Sequence, residues 1–176
     1  MGWIVHDPMT NLAYGFSMVI TEALTATFSE RKTQIIVAEA LALVCVGVSC
    51  GHILAGRDVV WFIDNEAVAS AAIRGCSSMW EVSAMLDAVV VAFAAQNSRT
   101  WYEWIDSKSN PSDGLSREGI TCPVAKQICQ ERLWEWPPLT AIPSAEQLRM
   151  QMEMKNSGDI SERGTVEDEG KSVCFQ

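Results

Sequence analysis

Three carboxylates stand where a chain of this kind would not ordinarily put them. Glu39 lies in the first turns of the most apolar stretch of the sequence, Ile35 to Ala55. Asp64 ends a buried-looking strand, Asp-Val-Val-Trp-Phe-Ile-Asp-Asn, and Asp113 follows a second strand at a helix start, in Asn-Pro-Ser-Asp-Gly-Leu-Ser-Arg. Ligands of open α/β sheets bind beyond the carboxyl ends of parallel strands, where Asp64 is expected. If Glu39 and Asp113 converge on it, the negative charge calls for compensation, and divalent cations with oxygen ligands supply it. Two such ions can clamp the attacking and leaving oxygens of a phosphodiester. Taken singly, each residue has an ordinary structural role. Asp64 is a loop residue or helix cap, Asp113 caps the helix that it begins, and Glu39 pairs with an arginine.

The elements that must position these residues follow from periodicity. Gly2–Val5 and Leu12–Ile20 read as a β-hairpin, with Asp7, Pro8 and Asn11 in the turn and Tyr14, Phe16, Met18 and Ile20 on one face. Residues 25–34 are polar and irregular. Ile35–Ala55 reads as one helix, apolar around its whole circumference. Asp58–Ile63 is a strand, Asn65 caps a helix over Glu66–Arg74, and Gly75 stops it. A longer helix runs from Ser77 or Ser78 to about Asn97, with Val82, Met85, Leu86, Val89, Val90 and Phe93 on one stripe. Thr100–Ile105 is the next strand. Strand–helix–strand connections imply parallel pairing in one sheet.

Composition narrows the partners. The 13 basic and 22 acidic residues give a net charge of −9, so overall charge does not hold this chain to nucleic acid and any such function rests on a site. The first nine residues carry no basic segment followed by an apolar run, so no secretory signal is read there. The six cysteines form no C-x-x-C pair, and reduced thiols in an intracellular protein, cytoplasmic or nuclear, fit them best. The segment 35–56 has the length of a membrane span. Glu39 inside it costs roughly 2.5–3.5 kcal/mol on insertion scales, and glycines dilute it, so a buried core helix and no membrane contact is the preferred reading. A small protein anchored through 35–56 is the alternative. Trp61, Trp101 and Trp104 are expected to pack in the core, and Arg31, Lys32 and Arg74 to be solvated.

Three segments together, Ile-Ile-Val-Ala-Glu39-Ala-Leu-Ala-Leu, Val-Val-Trp-Phe-Ile-Asp64-Asn-Glu-Ala and Trp-Ile-Asp-Ser-Lys-Ser-Asn-Pro-Ser-Asp113-Gly-Leu-Ser-Arg, resemble the ribonuclease H domain of retrotransposon reverse transcriptases. The last segment is the most specific. The resemblance covers about residues 2 to 118. It implies an α/β, ribonuclease H-like mixed sheet flanked by helices and metal-dependent cleavage of RNA in an RNA–DNA hybrid. Glu39, Asp64 and Asp113 match three of the family's four catalytic carboxylates and would ligate Mg2+ (or Mn2+). Asn65, Lys108, Asn110 and Arg117 are the candidate substrate contacts. An upstream reverse transcriptase domain of a polyprotein is the implied neighbour.

The hairpin resembles the family's second and third strands. The sheet is therefore expected to lack the first strand and the aspartate that it carries, as in an N-terminally truncated fragment or a decayed copy. Asp7, in the hairpin turn, is no substitute. Backbone groups beside the gap would be left without ladder bonds, and cleavage would be impaired. A catalytically inactive relic or interaction module of the same fold is the second reading. The expected organisation is a domain over 1–120, an extension over 121–143 and a polar tail over 144–176. A helix over 144–155 is expected in the tail, with 156–176 disordered and dispensable for folding; the alternative is a tail that packs on the domain and replaces the missing strand through Ser172 to Phe175.

Overall fold

The structure, a computed structural model, describes residues 1–139 and 171–175. The N-terminal hairpin is β1 (Gly2–Asp7) and β2 (Leu12–Met18), paired antiparallel from Gly2↔Ser17 to Asp7↔Leu12. A short helix α1 (Glu22–Thr25) follows, capped by the Thr21 hydroxyl, which accepts from the Leu24 amide. The apolar stretch forms α2 (Ile35–Ser49) and a separate turn α3 (Gly51–Leu54). The single helix expected over Ile35–Ala55 is thus broken at Cys50, where a Ser-Cys-Gly sequence supplies poor helix formers. Among the described residues no helix is long and apolar enough to cross a membrane.

Strand β3 (Asp58–Ile63) leads into α4 (Glu66–Arg74). Asn65 caps α4 by accepting from the Ala67 and Val68 amides, and Gly75 closes it at φ 69°, a left-handed conformation that glycine adopts without cost. Helix α5 (Trp80–Ala95) and β4 (Arg99–Trp104) complete a parallel crossover, with Asp58↔Arg99 through Ile63↔Trp104 in register. Beyond β4 come α6 (Asp113–Glu118), α7 (Pro123–Cys129) and β5 (Leu133–Trp136). Strand β5 pairs parallel to β2 and lays Trp134 on Phe16, ring centroids 5.3 Å apart. Residues 121–139, expected as an extension, therefore belong to the fold itself.

The six strands among the described residues form one mixed sheet in the order β4-β3-β6-β1-β2-β5, in which β1 alone of these runs against the rest. Its sixth strand corrects the sequence reading. β6 (Lys171–Phe175), drawn from the tail expected to be disordered, lies between β1 and β3. It pairs antiparallel with Ile4–His6 and parallel with Asp58–Phe62. The gap expected in the centre of the sheet is closed by the end of the same chain, because the edges of β1 and β3 otherwise expose a row of unpaired donors and acceptors. The helix expected over 144–155 lies outside the described residues.

Strand alternation divides the core in two. Trp3, Val5, Phe16, Met18, Val59, Trp61 and Ile63 face the larger cluster, built with α2, α4 and α5. Helix α2 is apolar all round because this cluster surrounds it, and Gln96 at the end of α5 ties to it by donating to the Gly47 carbonyl at 2.9 Å. On the other face Ile4 and Ala13 pack with Leu115, Cys122, Ala125 and Cys129 of the α6–α7 segment. The α5 stripe holds at Val82, Met85, Leu86, Val89 and Phe93, whereas Val90 falls outside it and is exposed.

Candidate active site

The three sequence-predicted carboxylates line one small cavity of about 80 Å³ at the carboxyl end of β3. Glu39 reaches it from the second turn of α2, Asp64 from the end of β3, and Asp113 from the first residue of α6. Met1, Gly2 and Ala42 form its apolar wall, and Asn110, Ser112 and Ser116 its α6 side. Gly2 is what lets β1 come this close to α6. A Cβ there would lie 2.7 Å from both the Leu115 Cβ and the Ser116 nitrogen.

Electrostatics single out the inner pair. Burial pushes the Glu39 carboxyl up to about 7, the neighbouring charge of Asp64 adds to the rise, and a hydrogen bond with the Asn65 side chain opposes it. Asn65 thus serves two groups at once. Its carbonyl oxygen caps α4, which leaves its amide to donate to Glu39. Asp113 sits differently. Its Oδ1 accepts from Nε of Arg117 at 3.0 Å, an i,i+4 ion pair on the exposed side of α6.

The remaining substrate candidates divide by exposure. Lys108 is exposed on the loop ahead of α6. Asn110 is buried and accepts from both the amide and the hydroxyl of Ser112, which shapes the turn into α6. Asn65, Asn110 and Arg117 are therefore each engaged within the protein. The aromatic expectation is corrected in part. Trp61 is fully buried, but Trp101 and Trp104 are exposed on opposite faces of the edge strand β4. Trp104 donates its indole N–H to the Asp64 carbonyl at 3.3 Å and covers the far side of that turn.

Two buried ion pairs escaped the sequence reading. Arg57 Nη1 meets Asp7 Oδ1 at 2.8 Å, which accounts for the aspartate in the hairpin turn. Arg31, expected on the surface, meets Glu81 at 2.6 Å, and the Glu81 side chain is wholly inaccessible to solvent. Glu81 is separated from Arg31 by half a domain of sequence and sits at the start of an apolar helix, so no local spacing announces it. Burial also pushes the Cys45 thiol up to about 12, in keeping with cysteine as a small apolar residue.

The cavity can be tested against a divalent ion through its donors. Among the described residues no three Asp, Glu, His or Cys side chains come together as a ligand group. Glu39 and Asp64 are close enough to perturb one another, whereas Asp113 is held by Arg117. That pair suits an ion bound through two carboxylates that completes its octahedron with water, which is how Mg2+ is commonly held. No protein-family model matches this sequence, and neither the curated proteins nor the solved structures contain a significant match to it.

Proposed function

We propose that this chain is a ribonuclease H-like domain of a retroelement that binds RNA–DNA hybrid and cleaves its RNA strand, weakly, with one divalent ion, Mg2+ or Mn2+. One observation carries the proposal. Residues 39, 64 and 113, from three separate segments, line a single cavity beyond the end of a parallel strand, and one of them is held near neutral pKa by its surroundings. A mixed sheet with a hairpin on one side and a parallel crossover on the other is compatible with that family's fold.

In this reading Glu39 and Asp64 would hold the ion, and Asn65 orients Glu39 through its amide. A bound divalent ion supplies Lewis-acid polarisation of the scissile phosphate. Lys108, exposed on the loop beside α6, would meet a backbone phosphate, and Asp113 stands at the lip, paired with Arg117. With a net charge of −9 the hybrid is repelled at long range, so its binding rests on these local contacts. An upstream reverse transcriptase domain would supply the missing affinity.

The Arg117–Asp113 pair favours a second reading, a non-catalytic interaction module of the same fold, because it withholds the third carboxylate. Cleavage of a fluorescent RNA–DNA hybrid decides between them. The chain and its Asp64→Asn variant are compared in Mg2+ and in Mn2+, with hybrid binding measured alongside. Slow metal-dependent cleavage lost in the variant supports the enzyme. Binding without cleavage supports the module, and absence of both overturns the two readings together.

A further inference from the structure

We propose that the space between β1 and β3 is a strand-acceptor slot whose occupant, Lys171–Phe175, is exchangeable between two copies of this chain. The sheet is built in two halves of local origin. The hairpin β1–β2, extended by β5, carries α6 and α7, and the crossover β3–β4 carries α4 and α5. Among the described residues the strand ladders of the two halves join only through β6, the last strand in sequence and central in space, with the Arg57–Asp7 ion pair the side-chain link beside it.

The occupant follows from the length of chain between β5 and β6. Neighbouring strands are about 4.8 Å apart, so the three places from β5 to β6 span roughly 15 Å. Residues 140–170 alone have a contour reach on the order of 100 Å. The tether therefore far exceeds what one copy needs, and the slot of a neighbouring copy lies within its range. The ladder bonds are the same whichever copy donates the strand. Exchange is then a contest between the tether's effective concentration, on the order of millimolar, and the concentration of chains. The monomer wins when dilute, and the swapped dimer competes near millimolar. The net charge of −9 on each copy opposes association, so added salt favours the dimer.

Register provides the test. Val5 and Cys174 are partners in the β1–β6 ladder, and directly opposed antiparallel residues have Cα atoms about 4.5–5.5 Å apart, within disulfide range. The full chain carrying Val5→Cys, with the exposed Cys76→Ser to remove a competing thiol, is refolded from denaturant at about 5 μM and at about 1 mM, then oxidised. Mixing isotope-labelled and unlabelled copies identifies by mass spectrometry whether each link between residues 5 and 174 joins one chain or two. The two-chain link should rise at least tenfold between these concentrations, and further with salt. A link confined to one chain at every concentration overturns exchange. Absence of any such link overturns the slot. Because Val5 is fully buried, His6→Cys with Val173→Cys, in a Cys174→Ser background, repeats the measurement at the next register pair. Failure of both pairs to form a link also counts against the proposal.

Discussion

Arg117 holds Asp113 by a 3.0 Å ion pair one helical turn away, at the lip of the cavity that Glu39 and Asp64 line from within. Three carboxylates thus line one cavity, and a cation holds the outermost of them. The Arg117 side chain is largely exposed, and i,i+4 pairs of this kind contribute only about 0.3–0.5 kcal/mol. Asp113 can therefore be released cheaply.

Arg117→Gln is expected to raise Mn2+ affinity several-fold, because it removes a positive charge and frees a carboxylate. The thermal midpoint should move by no more than about 2 °C. Electron paramagnetic resonance titration of Mn2+ measures the first and calorimetry the second. Unchanged or weaker Mn2+ binding would show that Asp113 takes no part in the site.

The pH dependence of stability carries the signature of Glu39. Its folded pKa of about 7 lies above the ordinary glutamate value of 4.5, so folding favours the protonated form. The contribution is fully present below pH 4.5 and is lost as pH rises through 7. In chelator, the parent chain should lose thermal stability across that window, and Glu39→Gln should abolish the loss. Parallel melting curves for parent and variant from pH 4 to 8 would remove Glu39 from the buried position assigned to it.

The cavity shared by Glu39, Asp64 and Asp113, the candidate site, was legible in sequence because its residues break local patterns. Glu39 interrupts an apolar helix, and Asp64 terminates a β-branched run. What spacing does not encode is where a side chain turns once it arrives, so the Asp113–Arg117 pair and the double use of Asn65 emerge only from geometry. The hairpin, the β3–β4 crossover and the caps at Asn65 and Gly75 follow from local rules that tertiary contacts reinforce. Strand β6 does not. Lys-Ser-Val-Cys-Phe is too short to read as a strand by its own pattern, so Ser172 to Phe175 stands only as the alternative to a disordered tail, and its place is set by the unpaired edges of β1 and β3. Trp101 and Trp104 have the composition of core residues, but β4 is an edge strand, and edge position overrides composition.

A second carboxylate titrates in the opposite sense. Glu81 accepts from Arg31 at 2.6 Å and from the Ser29 amide at 2.8 Å, and these bonds, led by that with Arg31, pull its pKa down to about 2. A depressed folded pKa gives stability that is present above the ordinary glutamate value of 4.5 and is lost as pH falls through 2. Glu81→Gln should therefore melt several degrees below the parent at pH 6, with the difference closing toward pH 2. A difference that persists at pH 2 would assign the effect to packing rather than to charge.

Removal of β6 tests the assembly of the sheet itself. A chain ending at Gly170 loses the ladder to Ile4–His6 on one side and to Asp58–Phe62 on the other. Each backbone bond contributes about 1 kcal/mol net, and the exposed edges of β1 and β3 lose their only described partner between them. For a chain of this size 1 kcal/mol corresponds to about 2–4 °C, so the midpoint should fall by about 10 °C or more. Hydrogen exchange gives the location. The amides of β1 and β3 that face the slot should lose protection, while the β1–β2 and β3–β4 ladders, each with a partner of its own, should keep most of theirs. An unchanged midpoint and unchanged protection would mean that the two half-sheets hold together without the C-terminal strand, and that the tail is as dispensable as its composition suggests.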